Sequence, residues 1–285
     1  MSTVLVTGAS SALGIALIDS LLPAHRVMAM VHRATIDTRG ARVEVLEGGL
    51  EACEAHAARI RAADVIVHLA AVTHSRAAAL YERVNHEFTR RLLAVSRAGQ
   101  RMVFMSTICA HPEGGAYGAS KWRAEQAVKA SELPWVIVRP AEVYGAGAGE
   151  GIDALIAIAR RTRLLPDFRS HGPVRYAPVS CASVTQFLMA LVGGFARSGA
   201  VYTLCAQAQC TATDIAQALR SGGHPVMLVP VPIGALRFVA RLRLPIPLVE
   251  DQLDRLVAPK EYDPASAIHD YGFEPGDFLR EIAGR

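Results

Sequence analysis

Lysine is scarce in this chain. Of its 30 basic residues only three are Lys, at positions 121, 129 and 260, and the arginines that make up the rest are spread along the sequence, not massed in a tail. With a formal net charge of +4, that distribution speaks against a nucleic-acid-binding stripe and suits anionic small molecules. Cysteine is sparse too: Cys53, Cys109, Cys181, Cys205 and Cys210 are odd in number and contain no Cys-x-x-Cys pair, so a reducing cytoplasm is the expected setting. No apolar run reaches the roughly 18 residues of a membrane span, and the first strand-like run begins at Thr3, which leaves no room for a signal peptide. Internal repeats and low-complexity tracts are missing as well. What is present is the material of a folded, soluble protein. The 285 residues are 51% apolar and 20% charged, enough for one large core or for a main domain with a smaller one attached.

Short β-branched runs alternate with helical stretches. The runs fall at 4–7, 26–31, 42–46, 64–70, 101–106 and 135–140; helices are expected after the first run, over EACEAHAARIRA, from about 78 to 98 and from about 117 to 130. Runs apolar throughout and separated by helices predict parallel strands buried on both faces, hence an α/β, doubly wound, Rossmann-type sheet. After VYGAGAGEG (143–151) the rhythm loosens into a smaller α/β region with a helix near 152–163, the strands AVYTLC and PVMLVPV, the helix TATDIAQALRS, and two short helices split by LPIP (244–247). The expected division is a dinucleotide-binding domain over 1–150 and a mainly substrate-binding region over 151–285, some segments of which return to the main domain.

Directly after the first run comes TGASSALG, residues 7 to 14. Pyrophosphate is held by backbone N–H groups at a helix N-terminus, where glycines allow a tight turn and a close approach. Gly8 and Gly14 stand at the right spacing, whereas Ser11 takes the place of the middle glycine, where its hydroxyl could donate to a phosphate oxygen. Gly8, Ser10, Ser11, Ala12, Leu13 and Gly14 are therefore candidate cofactor contacts, although the corner taken alone also suits a plain strand-to-helix turn. Further on, AYGASKWRAEQAV puts Tyr117 four residues before Lys121, on one face of a helix. An ammonium beside a phenol lowers its pKa from about 10 toward working pH and makes it a general acid or base for a carbonyl or alcohol oxygen. The same ammonium can hold a ribose hydroxyl. FMST ends the fifth strand, so Ser106 or Thr107 can bond that reacting oxygen.

These stretches in this order resemble the extended short-chain dehydrogenase/reductases of the NAD-dependent epimerase/dehydratase family. TGASSALG, DVIVHLAA (64–71), Asn85 in YERVNHEFTRRLL, MST before YGASK, VRPAEVYGAG (138–147), RYAPVSCASV and DPASAIHDYGFEP carry the likeness over essentially the whole chain. The resemblance implies Tyr117 as catalytic acid/base, Lys121 as the partner that lowers its pKa, and Thr107 on the substrate oxygen. It implies main-chain cofactor contacts at Leu69, Ala70 and Ala71, with Pro140 and Val143 flanking the nicotinamide and Arg175 holding the diphosphate of a nucleotide-sugar. Ser11, Gly49 (where an Asp usually meets adenine), Ser180 and the Ala182-Ser183 pair depart from the family pattern. Leu50, beside Gly49, is counted with the cofactor contacts.

Strand two ends in Val31 where NAD-binding sheets carry an Asp or Glu, and His32 and Arg33 follow. The missing acid and the nearby arginine favour NADP, with NAD as the alternative. A reductase draws on the NADPH pool, so the expected reaction is reduction of a 4-keto nucleotide-sugar of the UDP-hexosamine type, for bacterial surface polysaccharide. The alternatives are a UDP-sugar 4-epimerase with tightly held NAD and a non-catalytic dinucleotide-binding protein on the same fold. His74 and Glu142 are further candidates for the substrate pocket. His68, in an apolar strand with no second ligand at a metal-site spacing, reads as a core histidine, and no metal site is expected. The stretch PIGALRFVARLRL, with Arg237, Arg241 and Arg243, suits a helix with one solvated edge better than a membrane-surface helix. The helices near 78–98 and 117–130 could pair as a four-helix interface in a homodimer.

Overall fold

The computed structural model describes residues 1–32, 36, 43–147, 151–170, 172–236, 250–258 and 260–284. Seven parallel strands form the central sheet: β1 (Thr3–Thr7), β2 (Arg26–Val31), β3 (Val43–Glu47), β4 (Val65–His68), β5 (Arg101–Met105), β6 (Trp135–Pro140) and a later strand, β10 (Ala200–Leu204). Their order across the sheet is β10-β6-β5-β4-β1-β2-β3. The order reverses between β1 and β4, where Thr7 lies opposite His68, and in open α/β sheets ligands bind outside the strand ends at such a reversal.

Alternation along the strands feeds two cores. Val4 and Val6 point to one face, against Leu17, Ile18 and Leu21 of α1 (Ala12–Leu21) and Val184, Phe187, Leu188 and Leu191 of α7 (Cys181–Gly193). Leu5 points to the other, against Ile60 of α2 (Ala57–Ala62), Phe88 and Leu92 of α4 (Phe88–Val95), and Ala124 and Val128 of α5 (Gly115–Lys129). The expected helix from 78 has three phases: α3 (Ala78–Tyr81), a π-helical turn over Glu82–Glu87, and α4. It stops at Val95 because Ser96 is extended. The expected helix over 51–62 is helical only from Ala57, after a 3-10 turn at Leu50–Ala52.

Beyond Pro140 the chain builds a second, smaller core. β8 (Leu164–Arg169) pairs in parallel with β11 (Met227–Pro232), and β7 (Val143–Tyr144) with β9 (Val179–Ser180). Tyr144, Ile156, Leu165 and Tyr176 pack there with Ile215 and Leu219 of α8 (Ala212–Ser221), with Leu253 of α9 (Glu250–Val257), and with Phe278 of α11 (Phe278–Gly284). In α6 (Gly151–Thr162) Ile152, Ile156 and Ala159 form the buried face. Ala267, in α10 (Ala265–Tyr271), returns to the first core. Arg237, Arg241, Arg243 and the LPIP stretch lie outside the described residues. Among the described residues no helix is long and apolar enough to cross a membrane, and all five cysteines are buried free thiols.

Candidate active site

Gly8 turns the chain out of β1 with φ of +68°. A Cβ there would sit 2.7 Å from the Ala70 amide nitrogen, and one on Gly14 would sit 2.5 Å from the Gly8 carbonyl oxygen. Main chain therefore presses on main chain at both glycines, and neither place admits a side chain. Ser11, between them, is the N-cap of α1: its Oγ accepts from the Gly14 N–H at 3.0 Å and donates to the Gly8 carbonyl at 2.8 Å. Its hydroxyl proton is thus committed inside the turn instead of facing outward to a phosphate.

Gly8, Ser10, Ser11, His32, Leu69, Ala70 and Ala71 line a cleft of about 560 Å³, a size suited to a cofactor. Ala12, Leu13 and Gly14 lie behind its mouth in the first turn of α1. Arg33 and the Leu50 side chain lie outside the described residues. The far end of the cleft holds an ion pair that sequence reading missed: Arg83 donates to the Glu51 carboxylate and holds it below the usual carboxylate range.

Beneath the cleft floor runs a buried chain of hydrogen bonds. The Ala70 N–H donates to Thr7 Oγ1, which lies 2.6 Å from His68 Nδ1; His68 Nε2 lies 2.9 Å from Thr89 Oγ1, and that hydroxyl donates to the Asn85 carbonyl. Because Thr89 spends its one proton on Asn85, His68 Nε2 must be the donor to Thr89. Nδ1 then accepts from Thr7. Burial pushes the imidazole down to about 3, with the Lys121 charge in support, so the ring is neutral. Asn85 itself accepts from the Val72 N–H at 2.8 Å and donates to the Val72 carbonyl and to Ser120 Oγ, tying the loop after β4 to α5.

The buried face of α5 carries Tyr117, Ser120, Lys121, Ala124, Glu125 and Val128, an i, i+3, i+4 stripe that includes three polar groups. Each has partners, as burial demands. Ser120 donates to the Tyr117 carbonyl. Glu125 accepts from Ser106 at 2.6 Å and from both arms of Arg139. Ser106 is therefore a packing residue, and Thr107, whose Oγ1 accepts the Cys109 N–H at 3.2 Å, is the other hydroxyl at the end of β5. Burial pushes the Tyr117 phenol up to about 12, with Arg255 and Thr107 pulling the other way.

The Lys121 ammonium is bonded to main chain and not to the phenol. It donates to the Met105 carbonyl at 2.5 Å and lies 4.3 Å from the Phe104 ring centre; burial lowers it to about 7, against the pull of Glu125. The cation that lowers the phenol most is Arg255, whose guanidinium carbon lies 4.6 Å from the Tyr117 ring centre. Asp251, one turn earlier, accepts the Tyr117 N–H at 3.0 Å. Both residues are on α9 and neither was foreseen. The sequence shows only an i, i+4 pair of opposite charge, which reads as a solvated helix edge.

The remaining candidates lie farther along. Arg175 is exposed and lines a second cleft, of about 400 Å³, with Gln209, Leu256, Lys260 and Tyr262. Lys260 in turn binds Glu142 at 3.2 Å, and Glu142 also accepts the Ala177 N–H. Glu142 is thus half of a largely buried ion pair, with no open carboxylate. Burial raises the Cys109 thiol, and its backbone N–H donates to Thr107 Oγ1 at 3.2 Å. His74 is exposed, with Nδ1 3.0 Å from its neighbour Thr73, and lies on neither cleft. Pro140 ends β6 and accepts from the Ile108 N–H, and Val143 packs on the main core.

The family model for the NAD dependent epimerase/dehydratase family matches residues 4–165. A ceramide reductase of Caulobacter vibrioides is 33% identical over 168 residues, which are 57% of this chain and 53% of that protein; the chain thus matches about half the length of that relative. A UDP-glucose 4-epimerase of Vibrio cholerae is 24% identical over 98% of this chain and 92% of its own. Among solved structures, MoeE5 in complex with UDP-glucuronic acid and NAD superposes with a TM-score of 0.76 at 21% identity, covering 99% of this chain and 96% of that one. That last likeness is one of fold.

Proposed function

Given that the chain belongs to the NAD dependent epimerase/dehydratase family, we propose that it is an NAD(P)-dependent reductase of a 4-keto nucleotide-sugar of the UDP-hexosamine type. The observation that carries the reading is the placement of Thr107 just past the carboxyl end of β5 and of Tyr117 on the buried face of α5, together with a cleft whose turn has room for main chain alone. The cofactor, when bound, supplies the hydride. Gly8, Ser10 and Ser11 line the place for its pyrophosphate, and Leu69, Ala70 and Ala71 the opposite wall. Thr107 and Tyr117 hold the substrate carbonyl oxygen between two hydroxyls, and Tyr117 gives up its phenol proton as that oxygen becomes an alcohol. Arg175 and Lys260 offer two cations to the diphosphate.

The preference for NADPH rests on charge. β2 ends in Val31, and among the described residues that line the cleft the only carboxylate is Glu51, which Arg83 already neutralises. Among the described residues that line the cleft, no free acid awaits a ribose diol. NADPH should bind more tightly than NADH, and Arg33→Ala should narrow the gap by about 1–3 kcal/mol; equal affinities in titrations of the wild type would remove this preference.

A second reading, a UDP-sugar 4-epimerase that retains NAD, is favoured by the Vibrio relative, whose match runs nearly end to end. Purified protein that carries stoichiometric NAD and interconverts two UDP-sugars without consuming NADPH would establish it. NADPH oxidation dependent on a UDP-4-keto-sugar, with uridine diphosphate as inhibitor, would establish the reductase. If no nucleoside diphosphate binds, the substrate is a ketone without one, and the Caulobacter reductase becomes the better guide.

A further inference from the structure

We propose that Asp251 and Arg255 of α9 are positioning residues for Tyr117: Asp251 anchors its backbone and Arg255 lies across its ring. The proposal deepens the oxidoreductase reading, since it concerns the same phenol. It begins with a defect of α5. The first N–H groups of a helix lack partners within it, and the N-cap here is Gly114, which has no side chain to offer one. Asp251, 134 residues later, supplies the missing acceptor to the Tyr117 N–H. Its approach depends on Gly115, where φ is +70° and a Cβ would come within 2.7 Å of Asp251 Oδ1. Tyr81, whose hydroxyl accepts the Ser75 N–H at 2.8 Å, meets the Tyr117 ring edge-on at 5.9 Å.

Arg255 has two polar contacts. One Nη donates to the Thr73 carbonyl at 2.9 Å, in the loop after β4, and Nε lies 3.2 Å from Asp251 Oδ2 as an ion pair in which neither of these two atoms makes a hydrogen bond. Between these anchors the planar cation rests on the Tyr117 ring. A cation in that place favours phenolate over phenol. The other groups that act on the phenol are Thr107 and the Cys109 thiol from the loop after β5 and Asp251 from α9. Cys109 and Asp251 oppose Arg255, and Thr107 assists it.

The test uses full-length protein with ¹³C-labelled tyrosine, without substrate or dinucleotide, and follows the Tyr117 resonance, identified by its loss in Tyr117→Phe. In Arg255→Met the onset of ionisation should move up by about one pH unit, and Arg255→Lys should recover most of the shift. In the alcohol-oxidising direction the phenolate is the base. The rising limb of kcat should move to higher pH by the same amount, with a loss of about tenfold below both midpoints and KM within about twofold. An unchanged ionisation in folded Arg255→Met, or a loss confined to KM, overturns the proposal. If Arg255→Met does not fold, Asp251→Ala, which removes the acceptor, decides: exchange of the Tyr117 amide should quicken by about tenfold or more, and an unchanged rate sinks the idea. A wild type that turns over no substrate would refute the oxidoreductase reading, while the tyrosine titration would still judge this one.

Discussion

The two ends of the site are made of different stuff. At the nucleotide end the wall is main chain: Gly8 against Ala70, and Gly14 against Gly8, each with no space for a single methyl group. At the other end the wall is side chain: Arg175 and Lys260, drawn from segments far apart in sequence, the second held by an ion pair to Glu142 behind it. A wall of backbone can be built in few ways and admits one shape of ligand. A wall of side chains can be respecified by substitution without disturbing the sheet beneath it, so substrates can diverge while the dinucleotide stays.

The largest effect is expected at the phenol. Tyr117→Phe keeps the ring and its contact with Arg255 and removes only the proton, so turnover should fall by about 10²–10⁴ while dinucleotide affinity stays within a few-fold. Near-normal kcat would show that another group is the acid. Next comes the backbone wall. Gly14→Ala places a carbon 2.5 Å from the Gly8 oxygen, and should cost more than about 2 kcal/mol of stability and most of the dinucleotide affinity; calorimetric melting and a binding titration check both, and an unaltered variant would mean the wall yields. Arg175→Ala should then raise KM for a UDP-sugar by roughly ten- to a hundredfold, or about 1.5–3 kcal/mol, with a smaller change in kcat. A lone fall in kcat would move Arg175 from binding to chemistry. Smallest of all, Ser11→Gly restores the missing glycine and should cost a few tenths of a kcal/mol as a helix cap, with affinity unchanged to about twofold. A large loss of affinity would mean that the hydroxyl leaves the turn to meet the phosphate.

The same contrast explains what could be read from the chain. Gly8 and Gly14 are legible because a steric demand admits one residue type, and the parallel strands because burial on both faces demands unbroken apolar runs. Tyr117 and Lys121 are legible as a helical pair, yet the ammonium faces Met105, since helical spacing places side chains on one face without aiming them. Asp251, Arg255 and Lys260 were not legible: a salt-bridging helix edge has the same spelling whether it meets water or a tyrosine 134 residues away. β8 escaped because LLPDFR has no β-branched residue and contains a proline, and it is a strand only because Met227–Pro232 lies beside it. Ser106 and Thr107 could be told apart only once Glu125 was seen beneath the strand.

The buried line from Thr7 through His68 and Thr89 to Asn85 has a consequence for proton traffic. Both of its ends are pinned by groups that cannot reverse, an amide N–H at Ala70 and a carbonyl at Asn85, so every link points the same way and the line has a single configuration. A relay must be able to stand in two. This one therefore conducts nothing. It sets the height of the cleft floor, and a proton that leaves Tyr117 must find another exit. Nitrogen NMR should show His68 as the neutral Nε2–H form throughout the folded range, with ionisation resisted until the pH nears about 3. Because the unfolded ring would titrate near 6.5, His68 also makes stability fall as pH drops through the interval between those values.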